Sequence, residues 1–422
     1  MDKFVIEGGH RLRGTVAVAG SKNAVLALIP ATLLAPGIHR IRHTPNLRDV
    51  WTMSRLMATL GAHVELDSSG ELFVDTRAIE HFEAPYEHVK RMRASIYVLG
   101  PLLARFGRAR VSLPGGCAFG PRPVDLHLKG MEKLGAHITI EHGYIDARTD
   151  RLRGAPIHLD VPSVGATVNI LYAAALADGE TVITNAAMEP EVTALARVLV
   201  AMGARIDGIG TSTLRIEGVR ELQPLPWVEN IPDRIEAATF LIAAAMTRGS
   251  IRLTCVNPYH LGTVLDKLEE IGCILDIDGS TVELRCNGEL RPSNVTTAPY
   301  PGFPTDVQAQ WAALMLTAGG SSRVTDTIYP TRFGYVPELR RLGADIEVIE
   351  NTAIINGQAR LEGATVMSSD LRASASLVLA GLVADGRTDV LRIYHLDRGY
   401  ERLEERLRRL GAAIERVPTD EF

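Results

Sequence analysis

The chain has 422 residues, 46% of them apolar and 23% charged, and a net charge of −5. That length predicts two domains with a sizeable core, and the acidic balance excludes general nucleic-acid binding. Four cysteines without metal-ligand spacing argue against a disulfide scaffold or a zinc site.

Met1-Asp2-Lys3-Phe4-Val5 has neither the charged nor the apolar segment of a signal peptide. Short strands are predicted at residues 4–7 and 15–18. Ser21-Lys22-Asn23-Ala24 then opens an apolar run that stops at Gly37, and Leu60-Gly61-Ala62 precedes an alternating strand at 63–66. Both markers recur. The triplet returns as Leu134-Gly135-Ala136, Met202-Gly203-Ala204, Ile271-Gly272-Cys273, Leu342-Gly343-Ala344 and Leu410-Gly411-Ala412. Ala/Leu-rich runs end at Gly37, Gly107, Gly179, Gly249, Gly320 and Gly386. A period of about 70 residues marks a repeat architecture, and the triplet glycine sits where a helix end calls for a left-handed residue.

Each repeat holds two helices. The first is apolar nearly all round, as at 237–246 and 371–383, and is predicted to be buried; these runs are too short to cross a bilayer. The second is amphipathic. Residues 402–410 place Leu403, Leu407 and Leu410 on one face, with Glu404–Arg408 and Glu405–Arg409 at i,i+4 on the other. Six repeats divide three and three at Leu222-Gln223-Pro224-Leu225-Pro226-Trp227. The predicted domains are 22–230 and 1–21 plus 231–422, with the N-terminal strands completing the last repeat. Cys255, Cys273 and Cys286 read as core or near-core thiols.

Between a strand at 109–113 and a helix at 124–134 lies Leu113-Pro114-Gly115-Gly116-Cys117-Ala118-Phe119-Gly120-Pro121-Arg122-Pro123. Its glycines and prolines forbid both helix and strand. A loop of this kind, at about 112–123, can close over a site and carry a side chain with it. That side chain is Cys117, and a nearby Arg122 guanidinium makes a thiol more reactive.

The buried helices begin with polar residues: Ser21-Lys22-Asn23, Arg93-Ala94-Ser95, Ser163-Val164-Gly165, Asp233-Arg234-Ile235-Glu236, Asp306-Val307-Gln308 and Asp370-Leu371-Arg372. N-capping accounts for Ser163, Asp233, Asp306 and Asp370. It does not account for Lys22, Arg93 and Arg372, since a cation there opposes the macrodipole; an anionic ligand shared among helix ends does. No phosphate loop or dinucleotide fingerprint occurs in strand–helix context, which argues against ATP and NAD. Asp306, after a proline turn, is a candidate general base as much as a cap. Arg398, beside Gly399, is a candidate ligand group or a surface salt bridge.

Leu-Pro-Gly-Gly-Cys117 with Gly-Pro-Arg-Pro-Val-Asp-Leu-His resembles the lid of the UDP-N-acetylglucosamine enolpyruvyl transferases. The resemblance extends through Ser-Lys-Asn-Ala at 21–24, Met-Arg-Ala-Ser at 92–95, Ser-Val-Gly-Ala-Thr at 163–167, Asp-Arg-Ile-Glu at 233–236, Phe-Pro-Thr-Asp at 303–306, Asp-Leu-Arg-Ala-Ser-Ala-Ser at 370–376 and Asp-Arg-Gly-Tyr-Glu-Arg at 397–402. It implies a two-domain inside-out α/β barrel of six repeats, three per domain, with the active site in the cleft between them. It also implies enolpyruvyl transfer from phosphoenolpyruvate to the 3′-hydroxyl of UDP-N-acetylglucosamine, the first committed step of peptidoglycan synthesis, in the cytoplasm. No cofactor, membrane insertion or obligate protein partner is implied.

By the same resemblance, Lys22, Asn23, Arg122 and Arg398 hold phosphoenolpyruvate. Cys117, the target of fosfomycin, donates a proton to its methylene carbon and can carry a pyruvate-derived adduct. Asp306 deprotonates the sugar. Asn23, Arg93, Arg122, Pro123, Val124, Asp125, Leu126, Ser163, Val164, Gly165, Asp306 and Ile328 bind the UDP-sugar, and Asp370, Leu371 and Arg372 are further cleft candidates. Val161 and Met188 stand where relatives often carry a basic residue. The alternatives are transfer to shikimate 3-phosphate or to a different nucleotide, and a non-catalytic sugar-nucleotide sensor.

Overall fold

The computed structural model describes residues 1–90, 92–113 and 124–420. The loop residues Cys117, Arg122 and Pro123 lie outside the described residues. The chain separates into two compact units, Gly20–Ile231 and Met1–Ala19 with Pro232–Phe422. Among the described residues there are six four-stranded sheets.

The third repeat shows the common plan. Strand Pro156–His158 runs parallel to Glu180–Thr184, and a parallel pair requires a crossover. Helix Val164–Ala175 makes it. Amphipathic helix Pro190–Ala201 follows, then Arg205–Asp207 and Thr213–Glu217 complete the sheet antiparallel. The crossover helices are buried on every side, as all-round apolar sequence requires. In helix Arg234–Met246 every residue after Arg234 is buried, and Gln308–Met315 is buried throughout. Gln308–Met315 packs against both Arg234–Met246 and Ala373–Val383. Helices inside and sheets outside give each unit the inside-out α/β barrel fold.

The two N-terminal strands do not both complete the last repeat. Asp2–Glu7 sits between Arg387–Leu391 and Ala413–Pro418, but Arg13–Ala17 pairs parallel with Ser250–Thr254 in the fourth repeat. Five residues separate them, too few for anything but a bend from one sheet to the next. The triplet glycines all take left-handed backbone, from φ +87° at Gly343 to φ +108° at Gly203, where a Cβ is disfavoured. Gly249 has a different cause: a Cβ there would meet the Leu12 carbonyl oxygen at 2.2 Å. Cys255, expected near the core, is exposed just past strand Ser250–Thr254, at φ +56°. No helix among the described residues is long and apolar enough to cross a membrane.

Candidate active site

In the unit Gly20–Ile231, Ser163 caps helix Val164–Ala175 by accepting from the Ala166 amide at 3.3 Å. Gly165, in the first turn, has no room for a side chain, because a Cβ would come within 2.9 Å of the His127 ring. His127 is 2% exposed and lies on helix Asp125–Lys133. The Asn169 amide nitrogen is 2.9 Å from its Nδ1, and the same amide donates to the Ile96 carbonyl while its oxygen accepts from Gly100. An amide NH₂ only donates, so Nδ1 accepts and the ring proton sits on Nε2. That Nε2–H has no partner among the described residues.

A buried donor left unmade costs about 1–3 kcal/mol, and the first amides of a helix are unpaired within it, so this helix start has donors that an anion can use. Burial, and then the charge of Arg93, push the His127 pKa down to about 3. The ring therefore donates while neutral, and Arg93 supplies positive charge nearby. Arg93, Ser163, Val164 and Gly165, expected to bind the UDP-sugar, lie at or near this helix start. Val124 is buried; Asp125 is exposed and 3.7 Å from Lys129, which also approaches Asp160 at 3.8 Å. Leu126 is half-buried against the core. Val161 is 57% exposed.

His127 also makes stability depend on pH. The folded ring stays neutral down to about pH 3, whereas an unfolded histidine takes up a proton below about pH 6.5. The unfolded state then binds more protons, so this contribution is complete above about pH 6.5 and is lost as pH falls. Between pH 6 and pH 4, His127 is expected to cost about 1.4 kcal/mol per pH unit. Urea unfolding of wild type and His127→Gln checks this; equal slopes for the two proteins would refute it.

Lys22 opens helix Lys22–Ala31 behind Ser21, which accepts from the Ala24 amide at 3.2 Å. Its ammonium is 3.1 Å from Asp49, and both side chains are nearly buried. Asp49 thus offsets the macrodipole penalty that an external anion was expected to meet. Asn23 is half-buried beside it.

In the other unit, Asp306 does not cap. It sits in the short turn Thr305–Val307, and no side chain caps the helix Gln308–Met315 that follows. Its carboxylate accepts from Arg332 Nη1 at 2.7 Å. Arg332, 6% exposed, also lies 3.5 Å from Asp370. Burial opposes its charge, but the carboxylates of Asp306, Asp370 and Asp326 outweigh burial and raise its pKa. Asp326 is fully buried. It accepts from Thr297 at 2.8 Å, Thr305 at 2.7 Å and the Ile328 and Tyr329 amides at 2.9 and 2.8 Å. One buried carboxylate thereby fixes both the Asp306 turn and the Ile328 loop.

Asp370 accepts from the Arg372 amide at 3.0 Å. Arg372, expected to face an anion, is 2% exposed. Its charge is met inside the protein, by Asp233 at 3.5 Å, the Gly399 carbonyl at 3.3 Å and the Tyr400 ring at 5.0 Å. Of the three cations at helix starts, Lys22 and Arg372 are therefore answered by carboxylates of their own unit, and the charge of Arg93 acts on His127. Leu371 packs under Gly399, where a Cβ would meet it at 2.4 Å. Arg398 ends the turn Ile393–Arg398, half-buried. Sequence reasoning missed His127, Arg332, Asp326 and Asp49. Only His127 carried a local signal, directly after the Asp125-Leu126 segment.

The fold and the comparisons place the chain among the enolpyruvyl transferases. The family profile for EPSP synthase (3-phosphoshikimate 1-carboxyvinyltransferase) matches residues 6–407. Two solved structures are similar over 99% of this chain. One is the enolpyruvyl transferase NikO from Streptomyces tendae (TM-score 0.89, 29% identity, 99% of that chain). The other is EPSP synthase from Acinetobacter baumannii (TM-score 0.76, 20% identity, 100% of that chain), a likeness of fold. Curated relatives named UDP-N-acetylglucosamine 1-carboxyvinyltransferase are closer in sequence. That of Chlorobium phaeovibrioides is 58% identical across 100% of both chains. That of Desulfosudis oleivorans is 53% identical across 99% of this chain and 100% of its own. The chain belongs to the UDP-N-acetylglucosamine 1-carboxyvinyltransferase family.

Proposed function

We propose that this protein transfers the enolpyruvyl group of phosphoenolpyruvate to the 3′-hydroxyl of UDP-N-acetylglucosamine and releases phosphate, the first committed step of peptidoglycan synthesis, in the cytoplasm. The observation that carries this reading is full-length identity of 53–58% to relatives of that name. The anion-seeking end of helix Val164–Ala175, with its orphan His127 donor, suits the diphosphate of the nucleotide. Asn23 and the segment 122–126, with Ile328, complete the UDP-sugar contacts.

Asp306 takes the proton of the sugar hydroxyl, whose oxygen adds to C2 of phosphoenolpyruvate, while Cys117 gives a proton to the methylene carbon. The tetrahedral intermediate then loses phosphate and a methyl proton, which restores the enol. Lys22, Asn23, Arg122 and Arg398 bind the phosphate and carboxylate. One C–O bond forms, another breaks with phosphate leaving, and no net oxidation or reduction occurs, so the steps call for no redox cofactor. Asp370 shares Arg332 with Asp306, and Asp370, Leu371 and Arg372 are further cleft candidates.

Phosphate release from phosphoenolpyruvate tests the assignment. Release that requires UDP-N-acetylglucosamine is the expected result. Release that ignores this sugar but responds to shikimate 3-phosphate would keep the fold and overturn the acceptor.

A further inference from the structure

Two thiols that the proposed reaction does not use lie together in the unit Met1–Ala19 with Pro232–Phe422. Strands Ile274–Asp278 and Thr281–Arg285 form a hairpin with Ile274 opposite Arg285. One residue further out, Cys273 faces Cys286. Neither amide is used across that pair. The Cys273 amide donates to Leu268 and the Cys286 amide to Gly249, each at 3.0 Å. Antiparallel positions without cross-strand bonds bring Cα atoms to about 4.5 Å, within the range of roughly 4.4–6.8 Å over which a disulfide closes. Both side chains belong to the buried core of this unit. Their residues are 6% and 1% exposed.

We propose that Cys273 and Cys286 are an oxidisable dithiol that closes to a cross-strand disulfide under mild peroxide and reopens with a thiol reductant. Cys286 is the attacking sulfur. The neighbouring Cys273 thiol, and then the charge of Arg248, lower its pKa, while Cys273 moves up. The Cys286 thiolate attacks one peroxide oxygen, breaking the O–O bond to give a sulfenic acid and hydroxide. The Cys273 sulfur then displaces the hydroxyl from the Cys286 sulfur, forming the S–S bond and water. In total two thiols lose two electrons and two protons, and one peroxide becomes two waters.

Cys286 bonds to Gly249, just past the C-terminal end of helix Arg234–Met246, so the pair sits at the end opposite the Asp233 cap. The bridge therefore acts as a clasp on the outer hairpin and constrains the unfolded chain.

Trypsin cuts between Arg285 and Cys286, so a bridge joins the peptide that ends at Arg285 to the peptide that begins at Cys286. Wild-type protein is treated with hydrogen peroxide, its remaining thiols are alkylated under denaturing conditions, and it is mapped by mass spectrometry before and after dithiothreitol. The expected result is the linked peptide pair in at least half of the molecules, lost on reduction, with a higher thermal midpoint for the oxidised protein. Recovery of both cysteines alkylated, each as a separate sulfinic acid, or each linked to Cys255 or Cys117 would overturn the proposal. The map is read on wild type, so it does not depend on a cysteine variant folding.

Discussion

Replacing Asp306 with Asn is expected to cut turnover by ~10²–10⁴-fold, the usual contribution of a positioned general base. The substitution keeps the size and removes the proton acceptor. The Asp306 side chain is 28% exposed, so it is open to a substrate hydroxyl while Arg332 holds it in place from the buried side. The variant should fold, because Arg332 retains Asp370 at 3.5 Å and the turn retains Thr305 on Asp326. If the proposed assignment is right it should also retain most of its affinity for the UDP-sugar, because the proposed contacts at the start of helix Val164–Ala175 are unchanged. The measurement is kcat for phosphate release beside calorimetric affinity for UDP-N-acetylglucosamine. A large loss in kcat with affinity kept within about fivefold supports the base. A kcat within tenfold of wild type removes Asp306 from that role.

The residues that sequence made legible are those whose reason for being there is local. Gly61, Gly135, Gly203, Gly272, Gly343 and Gly411 mark the period because each ends a helix in left-handed backbone, a demand written within a few residues. Helix Arg234–Met246 was readable as buried because its apolar composition leaves no polar face, and Asp233 as its cap because it precedes that run and accepts from the Ile235 and Glu236 amides.

The residues that stayed hidden have reasons far away in the chain. Arg332 looks like a loop cation until Asp306, 26 residues earlier, is placed 2.7 Å from it. Lys22 reads as an uncompensated charge until Asp49 appears at 3.1 Å. Tyr400 and Thr239, 161 positions apart, meet at 3.0 Å and take a third contact from Gln310 at 3.3 Å. Arg13–Ala17 was assigned to the wrong sheet for the same reason: an edge strand's partner is chosen by topology, and its own pattern fits either neighbour.

Arg332→Gln is expected to destabilise the protein by about 3–5 kcal/mol, because removing one member of a buried ion pair leaves its partners desolvated and unmatched. Here the deserted partners are Asp306 and Asp370, with Asp326 behind them. Asp370 is the worst placed, its side chain only 5% exposed. For a unit of this size the lower figure corresponds to a fall of roughly 6–12 °C in the thermal midpoint.

Glutamine keeps a donor but no charge, so it can satisfy one carboxylate by hydrogen bonding and none by Coulomb attraction. Arg332→Lys is the informative companion. Its ammonium restores the charge but not the planar fork that reaches two carboxylates at once, so its midpoint should fall between the two. Turnover should follow the same order, since Asp306 loses the group that fixes its carboxylate. A glutamine variant that melts within 2 °C of wild type would show that Arg332 is not what holds these carboxylates together. A lysine variant no better than glutamine would show that the forked geometry, and not the charge, is what the site requires.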